Sequence, residues 1–194
     1  MRYDSEHKAR TRDRVLKEAA AALRAVGPDR LVVAEVMSRA GLTHGGFYAH
    51  FKSKDDLLTE AVGAMFKDRY DHYFADIETI EPRTALQRFV DNYLSIRHLN
   101  ARDTGCPIPI LAGELHRLPE AARIRFDRAV HRMTDTIAAL LERTAIEPAR
   151  PRAVSAVAEM VGAVAIARTL TASAESKELL KTTKASVEDK LGLG

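Results

Sequence analysis

The chain of 194 residues has a single cysteine, Cys106. One thiol cannot form a disulfide within the chain and suits a reducing compartment, so a cytoplasmic location is expected. No apolar run is long enough for a bilayer. The longest, from Ala153 to Ala167, falls short of the ~20 residues a span needs and contains Ser155 and Glu159. The first residues, Met1-Arg2-Tyr3-Asp4-Ser5-Glu6, are polar with no apolar run behind them, so no secretory leader is expected. Strand-like alternation, internal repeats and low-complexity linkers are all missing. So are the patterns of catalysis: a nucleophile beside a base, a Gly-rich phosphate loop, zinc spacing, or carboxylates paired by a motif. His98, His116 and His131 lack metal-ligand spacing, and Glu114 and His116, two residues apart, do not face each other on a helix. Neither enzymatic activity nor a metal or cofactor is expected.

Charge is close to balanced, with a formal excess of +3, but it is unevenly distributed. Residues 1–56 carry eleven Lys/Arg against eight Asp/Glu and three of the seven histidines, while the rest of the chain is neutral. A basic segment on a neutral body is the electrostatic footprint of a nucleic-acid reader, although an excess of three is a weak signal by itself.

Hydrophobic periodicity and Gly/Pro punctuation predict an all-α chain of about nine helices. The first runs from about Ser5 to Ala25, with Val15, Leu16, Ala19, Ala22, Leu23 and Val26 on one face, and Gly27-Pro28 ends it. A short helix follows from Val33 to Ala40, stopped by Gly41. Thr43 suits the N-cap of another short helix ending near Phe51. Ser53-Lys54-Asp55-Asp56 resembles a capping box and opens a long helix through Phe74. Pro82 opens the next, to Asn100. After the break at Gly105-Cys106-Pro107-Ile108-Pro109 comes a short helix to Leu118, then long helices from Pro119 to Thr144, from Pro148 to Ala172 and from Ser173 to Leu191.

The segment Leu42-Thr43-His44-Gly45-Gly46-Phe47-Tyr48-Ala49-His50-Phe51-Lys52-Ser53-Lys54 breaks local rules. Two glycines inside a helix destabilise it by about 1 kcal/mol each relative to alanine. Such a violation marks a candidate functional site. A supporting helix, a short helix, a turn at Gly41 and a second short helix form a helix-turn-helix, whose second helix enters the major groove. Without side chains at Gly45 and Gly46 that helix could approach closely. Thr43 and His44 would face bases, and Tyr48, His50, Lys52 and Lys54 would face phosphates. Lys52 reads equally as a solvated lysine. Phe47 and Phe51 are expected in the core, and Arg10, Arg12 and Arg14 on a solvated face of the first helix.

The run from Arg14-Val15-Leu16 through Gly41-Leu42-Thr43-x-Gly-Gly-Phe-Tyr-x-His-Phe-x-Ser-Lys54-x-x-Leu57 resembles the N-terminal domain of the TetR/AcrR family of bacterial transcriptional regulators. Gly105-Cys106-Pro107, followed by Glu114, resembles a feature of its LmrA/YxaF-like subgroup. The resemblance implies a DNA-binding domain over residues 1–53 and a ligand-binding and dimerisation domain over 54–194. It also implies a homodimeric repressor of a near-palindromic operator on double-stranded DNA, relieved by a small-molecule effector. One departure stands out. The family often has Ser or Thr at the start of the second helix for a phosphate contact, and here the run is Leu31-Val32-Val33-Ala34, so that contact is absent or moved to Arg30 or Arg39.

Ligand sites in helical bodies lie between helices, in mostly apolar pockets with a few polar groups. Phe66, Tyr70, Phe89, Tyr93, Arg97, Phe126 and Met133 are the candidates, with Tyr93 and Arg97 supplying polarity. Taken singly, each also fits ordinary core. A helix starting after Cys106 would favour its thiolate, which allows a sensing role; an inert buried thiol is the alternative. The helix through Val154–Ala167 is apolar nearly all round and must be covered on both sides. Its small residues, with the last helix, predict a four-helix homodimer interface through about residues 148–191. The competing readings are a central helix of a monomer and, for the whole chain, a helical adaptor that binds no DNA.

Overall fold

The structure, a computed structural model, describes residues 2–194, with side chains from residue 6 onward. The start expected near Ser5 is placed at Arg2, but the side chains of the polar N-terminal run up to Ser5 lie outside the described residues. Among the described residues there are no strands, and the chain is all-α as expected. The helices are α1 (Arg2–Arg30), α2 (Val33–Arg39), a 3-10 segment (His44–Ala49), α3 (Lys54–Tyr73), α4 (Pro82–Tyr93), α5 (Ile96–Asn100), α6 (Ile108–Leu111), a second 3-10 segment (Ala112–Arg117), α7 (Glu120–Arg143), α8 (Ala149–Ala167) and α9 (Ser173–Lys190).

Local chemistry sets most of these boundaries. Gly27 has φ 76° and ψ 176°, a left-handed φ that residues with a Cβ adopt reluctantly, and it kinks the end of α1. Val26, assigned to the apolar face, is 45% exposed because it sits at that kink, beyond the stretch of α1 that packs inward. Ser53 Oγ accepts the Asp56 N–H at 3.1 Å and starts α3. The Asp56 carboxylate answers by accepting the Lys52 N–H at 2.9 Å, one residue earlier than a standard capping box. Glu81 accepts the N–H groups of Arg83 and Thr84 at 2.9 and 2.8 Å and starts α4 at Pro82.

Three expected helices after α3 differ in detail. The one expected from Pro82 to Asn100 breaks at Leu94-Ser95, where Ser95 Oγ accepts the His98 N–H at 3.0 Å and begins α5. A serine able to cap thus outweighs an uninterrupted apolar pattern. The helix leading to Leu118 is a single α-turn followed by a 3-10 segment. α8 ends at Ala167 rather than Ala172.

α1 packs on α3, α3 on α7, and α8 lies between α7 and α9. The core includes Val15, Ala19 and Leu23 of α1, Leu57, Ala61 and Val62 of α3, and Ile137 and Leu141 of α7. An aromatic cluster continues it at the far end of α3: Phe74 stacks on Phe89 at 5.0 Å and Tyr73 meets Phe89 edge-on at 5.4 Å.

Candidate nucleic-acid interface and ligand cavity

The segment after Gly41 forms a 3-10 helix rather than an α-helix. Thr43 occupies the N-cap position, but its side chain makes no capping hydrogen bond. Phe47 and Phe51 are buried and stack at 5.7 Å, anchoring the segment as expected. Tyr48 lies edge-on to Phe47 at 5.2 Å and is 72% exposed. Thr43, His44, Gly45 and Lys52 are exposed; Gly46, His50 and Lys54 are half-buried.

The two glycines are not required by the chain's own packing. A Cβ at Gly45 would meet nothing within 4 Å, and one at Gly46 would make only an ordinary 3.7 Å contact with Met37 Cε. Neither has a left-handed φ. The room at Gly45 opens outward, whereas Gly46 faces the buried Met37.

His50 Nδ1 is buried with no hydrogen-bond partner. Its burial, with Lys8 and Arg12 nearby, holds the imidazole pKa below its ordinary value, which favours the neutral ring. Lys54 Nζ donates to the Asp29 carbonyl at 3.3 Å, tying the start of α3 to the kink of α1. Arg12 corrects one expectation: its guanidinium lies 5.0 Å above the Phe51 ring and pairs with Glu60 at 3.0 Å, so it braces the fold. Arg10 and Arg14 are exposed, as are Arg30 and Arg39 beside an α2 start that has no side-chain cap.

A half-open cavity of about 310 Å³ lies between α3 and α7. Of the candidate residues, Phe66, Tyr70 and Met133 line it. Phe89, Tyr93, Phe126 and Arg97 do not. Phe89 and Tyr93 are fully buried, because α4 turns its whole apolar stripe into the core. Phe126 is buried edge-on behind Phe66 at 5.0 Å. Arg97 is exposed, since the break at Ser95 starts a new helix in a new direction. The polar character comes instead from Lys67 and Arg69 of α3 and Arg125, Arg128 and Arg132 of α7.

Cys106 lines the cavity wall from the loop before α6. It is buried, and burial pushes its thiol pKa up, against any thiolate favoured by a helix start. Two arginines and a histidine fix the loop and the neighbouring α5. Arg24 of α1, itself buried, donates Nε to the Gly105 carbonyl at 3.1 Å and Nη1 to the Asp103 carbonyl at 3.0 Å. Burial lowers its pKa to about 10, so it remains a cation at neutral pH. Arg168, just past the end of α8, donates to the α5 carbonyls of His98 and Leu99 at 3.0 and 3.2 Å.

His98 completes the frame. The Cys106 N–H donates to its Nε2 at 3.0 Å, which makes Nε2 the acceptor; Nδ1–H then donates to the Tyr93 carbonyl at 2.6 Å. Gly105 packs so closely that a Cβ would fall 2.5 Å from the Ala101 carbonyl oxygen. That contact is the physical reason for glycine in the Gly-Cys-Pro run. A second bridge joins the same regions, with Arg117 3.5 Å from Asp29 and 3.0 Å from Glu114. Neither Arg24 nor His98 stood out in the sequence; Gly-Cys-Pro was the visible trace of their frame.

A helix-turn-helix head joined to a larger helical body defines a DNA-binding transcription regulator. The comparisons with known proteins agree. Residues 15–61 match the model of bacterial regulatory proteins of the tetR family. Residues 82–184 match that of the LmrA/YxaF-like transcriptional regulator C-terminal domain. The chain belongs to the TetR family, and its C-terminal part is of the LmrA/YxaF-like type. A search of curated proteins gives no match.

Solved structures share the fold. A TetR transcriptional regulator from Chloroflexus aurantiacus superposes with TM-score 0.81 at 23% identity, covering 96% of each chain. The reduced form of E. coli NemR gives 0.80 at 18% identity, covering 92% of this chain and 95% of that one. A TetR-family regulator from Agrobacterium tumefaciens gives 0.77 at 20% identity, covering 92% and 98%. Among the described residues no helix is long and apolar enough to cross a membrane, and no cluster of His, Cys, Asp and Glu could hold a metal ion.

Proposed function

We propose that this regulator is a cytoplasmic, homodimeric repressor that leaves its operator when a small molecule enters the cavity between α3 and α7, and that it catalyses no reaction. The observation that carries the DNA contact is the cleared outer face of the 3-10 segment, where Gly45 has open space and Tyr48 projects. Thr43 and His44 are assigned to base edges, with Gly45 and Gly46 allowing close approach. Tyr48, His50, Lys52 and Lys54 are assigned to phosphates. The DNA-binding domain is taken as residues 1–53 and the effector and dimer domain as 54–194. Two such heads, about 34–36 Å apart, would face successive major grooves of a near-palindromic site.

Dimerisation is assigned to α8 and α9, within residues 148–191. Val154 and Ile166 are 49% and 54% exposed, Ala158 is exposed between them, and a Cβ on Gly162 would meet nothing within 4 Å. This outward stripe of small and apolar residues calls for a partner. The cavity is joined to α1 through Cys106, Gly105 and Arg24, a route by which ligand entry would tilt the DNA-binding head.

The experiment is a gel shift with DNA from upstream of the protein's own gene, run at two salt concentrations. Binding should fall steeply with salt. His44→Ala with Tyr48→Ala should abolish it while sedimentation still shows a dimer. DNA binding that survives both changes, or wild-type protein that fails to shift the DNA at low salt, refutes the reading.

A further inference from the structure

We propose that the cavity between α3 and α7 takes a small aromatic carboxylate, one or two fused rings bearing a single negative charge; this rests on the reading of that cavity as the effector site. Its volume of about 310 Å³ lies at the small end of ligand pockets, ~300–1,000 Å³. It therefore suits a compact ring system and excludes larger polycyclic molecules.

The floor sets the aromatic part. Phe66, Tyr70, Tyr73 and Phe74 line it together with Met133. Rings and a thioether offer edge-to-face and sulfur–aromatic contacts to a flat guest. The Tyr70 hydroxyl is already engaged with Thr136 at 2.7 Å, whereas the Tyr73 hydroxyl has no hydrogen-bond partner.

The lining sets the charge. It includes five cations and no carboxylate. Three have an ion-pair partner outside the lining: Lys67 with Asp71 at 3.4 Å, Arg69 with Asp68 at 2.6 Å, and Arg125 with Glu60, which it shares with Arg12. Arg128 and Arg132 have no ion-pair partner among the described residues, although Arg132 rests on the Tyr70 ring with its guanidinium carbon 3.5 Å from the centroid. These two sit at i and i+4 on α7, where like charges face each other and destabilise the helix. A carboxylate between them would remove that repulsion and accept paired guanidinium hydrogen bonds. The same pair repels a cationic guest.

The test uses 2-naphthoate, its neutral analogue 2-naphthylmethanol and the cation 2-naphthylmethylammonium, titrated calorimetrically into the full-length protein. Naphthoate should bind at least about tenfold more tightly than the alcohol, as a charge-assisted hydrogen bond implies, and the cation should not bind. The double variant Arg128→Gln/Arg132→Gln should bring naphthoate down to the affinity of the alcohol and leave the alcohol unchanged. Ala129→Phe, which fills the cavity, should weaken both, with circular dichroism confirming that each variant is folded.

The inference is overturned if the alcohol binds as tightly as naphthoate, if the double variant keeps the preference for the anion, or if Ala129→Phe leaves naphthoate binding unchanged. A gel shift with naphthoate present reads the effector assignment separately. Charge-selective binding that leaves DNA bound upholds the anion site and refutes the release mechanism.

Discussion

His98 makes the stability of this protein depend on pH in a calculable way. The side chain is 5% exposed and fully engaged as a neutral ring, accepting from the Cys106 N–H and donating to the Tyr93 carbonyl. Burial lowers its pKa from 6.5 to about 4, with Arg168, Arg69 and His72 adding repulsion and the Tyr93 carbonyl partly offsetting it. The unfolded chain therefore binds a proton that the folded chain refuses between these two values. Above pH 6.5 the stabilisation is fully present, and it is lost as pH falls towards 4. At about 1.4 kcal/mol per pKa unit, the whole effect is on the order of 3 kcal/mol per protomer, and about 2 kcal/mol of it is gone at pH 5. That is a large share of a net stability of ~5–15 kcal/mol. The assay is urea unfolding from pH 8 to pH 4.5 at fixed protein concentration, comparing wild type with His98→Gln. The variant should be less stable at pH 7.5 by ~1–3 kcal/mol, because one buried hydrogen bond loses its partner. Its stability should also fall less steeply below pH 6.5. Carboxylates such as Glu159 titrate in both proteins, so the difference between the two curves isolates His98. Parallel curves would refute the assignment of a buried neutral imidazole.

Three further outcomes are expected. Arg24→Met removes both contacts to the loop carbonyls of Asp103 and Gly105 but also relieves the burial of a cation. These terms oppose each other, so stability should change by only ~1 kcal/mol while ligand-dependent DNA release weakens; normal release in a gel shift would refute the coupling role. Gly105→Ala forces a Cβ against the Ala101 carbonyl, His98 and Arg168, and should destabilise by ~1–3 kcal/mol, read as a lower thermal midpoint; an unchanged midpoint would show that the loop yields freely. Gly162→Arg places a charge on the outward stripe of α8, where the isolated protomer has open space. It should leave the protomer folded but give monomer mass in sedimentation, and a persistent dimer would move the interface elsewhere.

Much of the fold was legible because helix starts and stops are local. Pro82, Pro119 and Ser53 act on backbone groups within three residues, so their effect can be read in sequence. The Gly45-Gly46 segment was legible for the opposite reason: it violates helix preference, and such violations persist where something outside the chain needs the space. Where reading failed locally, a competing short-range bond decided. Ser95 capped a new helix inside a continuous apolar pattern, and the segment after Thr43 tightened to a 3-10 helix. The cavity failed for a different reason. Phe89 and Tyr93 share their apolar chemistry with Phe66 and Tyr70, and nothing within α4 or α3 says which rings face a void and which face one another.

Caps, turns and periodic stripes act over a few residues, so the all-α class, the helix-turn-helix head and the family could be read from residue order. It took the packing of the helices to set Arg125, Arg128 and Arg132 of α7 opposite Lys67 and Arg69 of α3 around one cavity. The same packing lets Arg24 grip carbonyls 79 and 81 residues away. Contacts of that span follow from how helices pack, and the side chains that make them carry no local mark of their partners.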